Sequence, residues 1–358
     1  MTRKIFLRGL VVIIAGLVAC AGLMAWHALV GWHSILWTCP PGEKIVYIKT
    51  AEKPKKLLIL TKRGPSWVLR VLEEAGVVRE VASGPGGVQP LSPLALSADG
   101  EHCLVGLRSQ CGRYSVADCD LVTKRRQDIT SLEGAITHSM IDPYSPDGRY
   151  LLVHALESAN SHKRQLYRVE RATGKTQVIH VAGLPKGLST WTEVFARYTH
   201  DGDLAVYNRF TGLVMRGNVK KLKVFGRCRP GFLAYISPDA RHVTVVSGSC
   251  GEPGEIRVVR YGFQPATEHI IYLDNAPDAG NANVLEFQYA EYSGEMTLNI
   301  FHPNKYPLYI DAEGRCHGVH VREYSRLGCG LAIWDVGRAA VVEKRSEGSP
   351  ERIVLLRL

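Results

Sequence analysis

Residues 144–153 read Tyr144-Ser145-Pro146-Asp147-Gly148-Arg149-Tyr150-Leu151-Leu152-Val153, and the reading of this stretch decides the fold. Pro146 presets its own φ, Asp147 offers a side-chain acceptor, and Gly148 takes a left-handed backbone position without steric cost. The chain therefore reverses tightly there and leaves as a strand. Downstream, Arg164-Gln165-Leu166-Tyr167-Arg168-Val169 gives a second strand, Ala172-Thr173-Gly174-Lys175 a glycine turn, and Thr176-Gln177-Val178-Ile179 a third strand.

Looser copies lie on both sides. Ser97-Ala98-Asp99-Gly100 leads into His102-Cys103-Leu104-Val105, then Tyr114-Ser115-Val116-Ala117-Asp118 and Lys124-Arg125-Arg126-Gln127-Asp128-Ile129. Thr199-His200-Asp201-Gly202 and Ser237-Pro238-Asp239-Ala240 open two more units. The four turns are spaced about evenly, and self-similarity at a period of about 40 to 50 residues is the mark of a propeller. At these residues the chain resembles the TolB-type, WD40-like (PD40) β-propeller repeat, in which an aromatic-Ser-Pro-Asp-Gly turn precedes an alternating strand. The resemblance is closest over 144–180 and looser over 97–130 and 236–260. It implies an all-β ring of four-stranded blades.

Strand patterning continues beyond the motif. Lys44–Lys49, Lys56–Leu60 and Ser66–Val71 form a first meander, while Val284–Tyr289, Met296–Phe301, Tyr309–Gly314, Gly330–Asp335 and Arg352–Leu358 keep the rhythm to the end. The expected fold is an all-β propeller of seven four-stranded blades, six being the alternative, over residues 44–358. A ring must hide its two open edges, and pairing the first and last strands in one sheet would do so. Helix signals after residue 43 are nearly absent: Leu72-Glu73-Glu74-Ala75 is too short to hold one. That excludes an attached α/β catalytic domain.

Ahead of the strands, no charged residue occurs between Arg8 and Glu43. An apolar run of about 20 residues is long enough to span a bilayer as a helix. Arg3, Lys4 and Arg8 precede it and Lys44 is the next cation, so the positive-inside bias places the start in the cytoplasm. The expected organisation is a basic cytoplasmic start at 1–9, a single transmembrane anchor at 10–32, a linker at 33–43 and an extracytoplasmic (periplasmic or extracellular) propeller. Trp26, Trp32 and Trp37 fit an interfacial belt. A cleaved signal peptide and a lipoprotein bearing lipid on Cys20 are the alternatives. Both would leave Leu23, Met24, Trp26 and Leu29 facing water.

Of nine cysteines, Cys20 lies in the apolar run and eight remain, an even number suited to an oxidising compartment. Nearby candidates are Cys111 with Cys119, Cys228 with Cys250 and Cys316 with Cys329, leaving Cys39 with Cys103. Eight reduced, buried thiols is the opposite reading.

Chemical motifs are sparse. Ser247-Gly248-Ser249-Cys250-Gly251 brushes against a nucleophile elbow but lacks the strand-to-helix setting. His317 and His320 are three apart, which on a strand sends them to opposite faces. Asp274–Asn283 is rich in oxygen ligands but misses the calcium-loop pattern. Asp99, Asp147, Asp201 and Asp239 recur as turn formers, and Asp118 with Asp120 cannot be placed across a cleft. No catalytic, cofactor or metal residue is therefore assigned.

The net charge is +10, with basic runs at Lys53-Lys55-Lys56, Lys62-Arg63, Lys124-Arg125-Arg126 and Lys220-Lys221-Lys223 with Arg227 and Arg229. These favour anionic partners. Outside the membrane no nucleic acid is expected. The function expected is a tethered scaffold that binds a protein or an envelope polymer; the alternative is a hydrolase or lyase working in the central channel. With no motif for a reaction, the scaffold is favoured.

Overall fold

Strands that are buried on both faces dominate the molecule. The strand that follows each Ser/Thr-x-Asp turn is apolar at nearly every position, because it is sandwiched between neighbouring sheets and does not face water on one side. The computed structural model describes residues 34–52, 55–85, 87–88, 94–97, 99–109, 113–129, 132–136, 143–157, 164–182, 194–247, 256–274, 283–289, 296–301, 308–311, 315–318, 331–335, 338–343 and 349–357. Among them there is no helix, and all paired strands run antiparallel.

Strand β1 (Ser34–Thr38) stands apart in sequence from its partners. The first sheet is β2 (Glu43–Glu52), β3 (Lys55–Arg63), β4 (Ser66–Glu73) and β5 (Val78–Pro85) in that order. The second joins β6 (Gly87–Val88), β7 (Leu94–Leu96), β8 (His102–Arg108), β9 (Tyr114–Asp120) and β10 (Arg126–Ile129). The third is β11 (Tyr150–Leu156), β12 (Arg164–Glu170) and β13 (Thr176–Ile179), with single bridges at Tyr144 and Ile136 in place of an innermost strand. The fourth is β14 (Val194–Tyr198), β15 (Leu204–Asn208), β16 (Leu213–Asn218) and β17 (Lys221–Arg227). The fifth is β18 (Leu233–Ile236), β19 (His242–Ser247), β20 (Ile256–Phe263) and β21 (Ala266–Asp274). The sixth is β22 (Asn283–Tyr289), β23 (Met296–Phe301), β24 (Leu308–Ile310) and β25 (Cys316–Gly318). In the last sheet β26 (Leu331–Asp335), β27 (Arg338–Glu343) and β28 (Arg352–Arg357) are completed by β1.

The first strand of a sheet touches the first strand of its neighbour: β2 meets β7 and β26, and β14 meets β18. First strands therefore face the middle, and the fourth strands form the outside. Apolar clusters bind successive sheets: Tyr47, Leu69, Val105 and Ala117 between the first and second, Leu104, Leu152 and Val206 across the second to fourth, and Tyr207 with Val245 between the fourth and fifth. Tyr309 packs with Val341 and Val354 between the sixth and seventh, and Ile48 with Ala340 and Ile353 joins the seventh back to the first. The sheets are thus arranged as a β-propeller.

The expected joining of first and last strands is present, since β1 pairs with β28, matching Ser34 to Leu355 and Thr38 to Arg352. Its location differs from expectation. β1 comes from the 33–43 stretch read as a linker, and Trp37, assigned to an interfacial belt, packs instead against the core shared by the seventh and first sheets. The reason is that one uncharged run serves both ends of the stretch, so hydropathy does not mark where it enters the sheet. Residues 1–32, with the expected start and anchor, lie outside the described residues. Among those described, no helix is long and apolar enough to cross a membrane.

The cysteine pairings are corrected. Cys39, Cys103, Cys119 and Cys228 are free and buried, so the pairs Cys39–Cys103, Cys111–Cys119 and Cys228–Cys250 are not formed. Cys39 and Cys103 belong to different apolar clusters, each filling space as a small hydrophobe. Cys103 instead lies directly opposite Cys119 across β8 and β9, a neighbour that only strand register reveals. Cys329 lies outside the described residues, and with it the last pair.

Candidate functional site

The four Ser/Thr-x-Asp turns share a hydroxyl-to-carboxylate hydrogen bond, and three of them share a fuller set. Ser97, Ser145 and Ser237 each donate from Oγ to the Asp two residues on, and each Oγ accepts from the backbone N–H five residues on, at 2.9 Å in all three. Thr199 donates to Asp201 in the same way. The Asp in turn accepts from a backbone N–H two residues later in three of the turns, at 2.9 Å for Asp99, 3.1 Å for Asp147 and 2.9 Å for Asp239. Donation from Ser145 and from Thr199 holds the Asp147 and Asp201 carboxyls below the usual carboxylate range. At Asp239 burial pushes upward, but the Ser237 bond, the Arg241 backbone N–H and the nearby His242 and Arg241 together outweigh it and hold the carboxyl low. These aspartates are committed to turn geometry, as their spacing suggested.

A charged network joins the second and third sheets. Asp118, 5% exposed on β9, accepts from Arg171 Nε at 2.7 Å and from the Tyr144 hydroxyl at 2.8 Å. Arg171 also donates to the Gly148 carbonyl at 2.9 Å and to His102 Nδ1 at 2.9 Å, and its guanidinium sits 5.5 Å from the Tyr144 ring centre. Since Arg has no acceptor, that contact makes His102 Nδ1 the lone-pair partner. Burial, reinforced by Asp118, pushes the Tyr144 hydroxyl well up. A cleft of about 250 Å³ opens beside the network, lined by Asp118, Gln127, Asp128, Arg171 and Thr173. Asp120, read together with Asp118, caps the following turn by accepting from Val122 and Thr123 at 2.9 and 2.8 Å. The two carboxylates thus have separate partners, Asp118 at the seam between sheets and Asp120 in its own turn.

A second network lies at the closure of the first and seventh sheets. Glu43 is 6% exposed and receives Arg70 in bidentate fashion at 2.7 and 3.0 Å, Thr61 at 2.7 Å and Arg63 Nε at 2.9 Å. Burial pushes its carboxyl up, but bonds from Arg70, Thr61 and Arg63 prevail and hold its pKa at about 2. Glu351, just before β28, accepts from the Ile45 backbone N–H at 2.6 Å, and its own carbonyl accepts from Cys39 N–H at 2.8 Å. The ends of the propeller are thus tied by the Glu351 carboxylate as well as by β1, while Glu43 braces the first sheet beside them. Sequence reading missed Glu43 and Glu351 because nothing local distinguishes them from surface acids.

Among the described residues no three His, Cys, Asp or Glu gather closely enough to hold a metal. His317 falls on β25, while His320, Ser249 and most of the 274–283 loop lie outside the described residues.

The basic runs separate into two kinds. Lys55 pairs with Glu74 at 3.8 Å, Arg63 with Glu43, and Arg126 with Asp128 at 2.7 Å while covering the Trp67 ring. The fourth run differs: Lys220, Lys221, Lys223 and Arg227 are all exposed, and among the described residues none forms an ion pair. Only Arg229 beyond them meets an acid, Glu268 at 3.9 Å.

No protein-family model matches the sequence, and no curated protein matches it. Solved structures do. An oligogalacturonate lyase in complex with manganese aligns with a TM-score of 0.62 at 13% identity, covering 91% of this chain and 93% of that one. The β-propeller domain of the Trilobed protease from Pyrococcus furiosus aligns at 0.54 and 12% identity, covering 87% of this chain and 93% of that one. TolB from Acinetobacter baumannii aligns at 0.44 and 15% identity over 64% of this chain, which spans 54% of that protein. At such identities the likeness shows the fold, and the chain has the fold of the β-propeller proteins.

Proposed function

We propose that the chain is a membrane-tethered propeller of seven blades, one for each sheet, that acts as an interaction scaffold on the extracytoplasmic side for a protein or an envelope polymer. The observation that carries this reading is the basic run on β17, which is exposed, without ionic partners among the described residues, and part of a four-stranded sheet. Charge left unpaired on a scaffold steers and orients anionic partners. Inside the molecule, by contrast, Asp118 and Glu351 are engaged in joining sheets and Glu43 in tying β2 to β3 and β4.

Fold likeness to the lyase would favour the enzyme alternative only if several carboxylate or His side chains converged on the central channel. At 13% identity that likeness carries no chemistry across. Tethering rests on the uncharged span of 10–32 with its basic flank.

Affinity capture of the full chain from membranes in mild detergent, read by mass spectrometry, tests the scaffold. A reproducible extracytoplasmic partner or polymer is expected. Replicate captures that return none would overturn it. Alkaline carbonate extraction tests the tether: the chain should stay with the membrane pellet.

A further inference from the structure

Seven outermost strands ring the propeller, and one of them differs in charge. β5 carries Arg79 beside Glu80, β10 carries Arg126 beside Asp128, and β21 carries Glu268, His269 and Asp274. The outer strands β1, β13 and β25 carry no Lys, Arg, Asp or Glu. β17 alone is cationic without an acid: Lys221, Lys223 and Arg227 lie on it and Lys220 in the turn before it. Among the described residues it pairs on one side only, with β16, and the other side of its backbone ladder has no sheet neighbour there. Val224 in mid-strand is 61% exposed.

We propose that β17 is a docking edge for an extended acidic segment of the partner, which adds to the fourth sheet as a further strand. The inference rests on the scaffold reading and names the chemistry of what the scaffold holds. An open ladder supplies backbone hydrogen bonds to any extended chain, and side chains choose among candidates. Lys221 and Lys223 repel a second copy of β17, whereas Glu or Asp on an incoming strand would stand opposite them as favourable cross-strand pairs. The same lysines that protect the edge from self-association thus select an acidic strand. Val224 supplies apolar contact within the same strand. A lipid surface fits less well, because the four cations lie along a single edge and not over a broad face.

The strand turns back from β16 through Asn218, whose Oδ1 accepts from the backbone N–H of both Lys220 and Lys221 at 3.0 Å. That bonding uses backbone groups, so the lysine side chains are open to substitution without loss of the hairpin.

The test uses the full chain in detergent and a fluorescein-labelled peptide of alternating Glu and Val, read by anisotropy. Binding is expected, weakening as salt rises. The triple variant K220E/K221E/K223E should bind roughly tenfold more weakly or worse, while K175E on an exposed turn of the third sheet leaves binding unchanged. A peptide N-methylated at alternate positions keeps its charge but cannot pair as a strand, and should also lose about tenfold. Unaltered thermal melting of the triple variant shows that the fold is kept. The inference is overturned if the peptide does not bind at millimolar concentration, if the triple variant binds it equally, or if the N-methylated peptide does. Flotation with phosphatidylglycerol vesicles covers the other case: vesicle binding through β17 without peptide binding overturns it too. Repeating the membrane capture with the triple variant separates the two readings. A partner still captured overturns the β17 edge alone, whereas no partner with the wild type overturns the scaffold.

Discussion

Replacing Glu43 by Gln removes the one carboxylate that Arg70, Arg63 and Thr61 share at the seam of the first and seventh sheets. Two routes give the cost. A pKa lowered from 4.5 to about 2 corresponds to stabilisation of about 3 kcal/mol at neutral pH. Breaking a buried ion pair from one side costs about 3–5 kcal/mol, because the remaining charge is left unsatisfied. Arg70 would retain the neutral Thr61 hydroxyl at 2.8 Å and, as its remaining carboxylate, Glu80 at 3.8 Å, which is half exposed. The sign follows from the depressed pKa: the contribution is complete above the unfolded value and is lost as pH falls toward 2. Urea melts followed by tryptophan fluorescence are suited to this, since Trp37 lies 5.7 Å from the Arg70 guanidinium. At pH 7 the E43Q midpoint should fall by the equivalent of about 3 kcal/mol, a large share of an ordinary folding free energy. As pH is lowered below 4.5 the wild type should approach the variant. Equal midpoints at pH 7, or a constant gap between the two proteins down to pH 3, would refute the account.

Gly148 has φ +66°, and a Cβ there would meet Arg171 Nη1 at an ordinary contact distance of 3.8 Å, so G148A meets only the left-handed backbone cost and should destabilise by about 1 kcal/mol in the same melts. Ala240 holds the equivalent position with φ +58°. A240G relieves that strain of about 1–2 kcal/mol but gives up a buried methyl worth about 0.8 kcal/mol, so its midpoint should equal or slightly exceed the wild type. R171L strands Asp118 and should cost about 3–5 kcal/mol, with faster amide exchange in β9 and β12, whereas Y144F forfeits one bond and about 1 kcal/mol. Burial pushes the Cys39, Cys119 and Cys228 thiols up to about 12 and Cys103 well above its ordinary value, so iodoacetamide at pH 8 should modify all four only after denaturation, as read by intact mass.

What the sequence made legible was whatever is encoded locally. The four turns appear where Ser/Thr-x-Asp predicts them, and Met296–Phe301 and Tyr150–Val153 fall on β23 and β11, because apolar strand residues flanked by turn chemistry leave little alternative. Structure without a local marker was missed. β17 reads as a charge run although it is a strand, since three of its seven residues are cationic and its partner is a hairpin away. β1 hides in an apolar stretch, and its partner β28 lies at the other end of the chain. The cysteine pairs fail for a related reason. Nearness in sequence favours partners such as Cys111 with Cys119, whereas in antiparallel sheets register sets the neighbours, and it places Cys103 against Cys119.

The same division between local and nonlocal chemistry explains why the units resemble one another at the turns but not between sheets. Asp118, Arg168 and Arg260 occupy corresponding places in the second, third and fifth sheets, each two residues before the one that opposes the start of the preceding strand. In the second sheet this position accepts from Tyr144 of the next. In the third, Arg168 lies near the hydroxyl of Tyr198, the residue that corresponds to Tyr144, and Tyr198 has no hydrogen-bond partner there among the described residues. A turn must satisfy its own backbone, so its residue types are held to a narrow set. An interface answers to one neighbour alone, so its residue types differ from seam to seam, with a carboxylate at one and a guanidinium at the next. Each seam is then matched to its own two sheets, so side-chain identity repeats at the turns and varies between sheets.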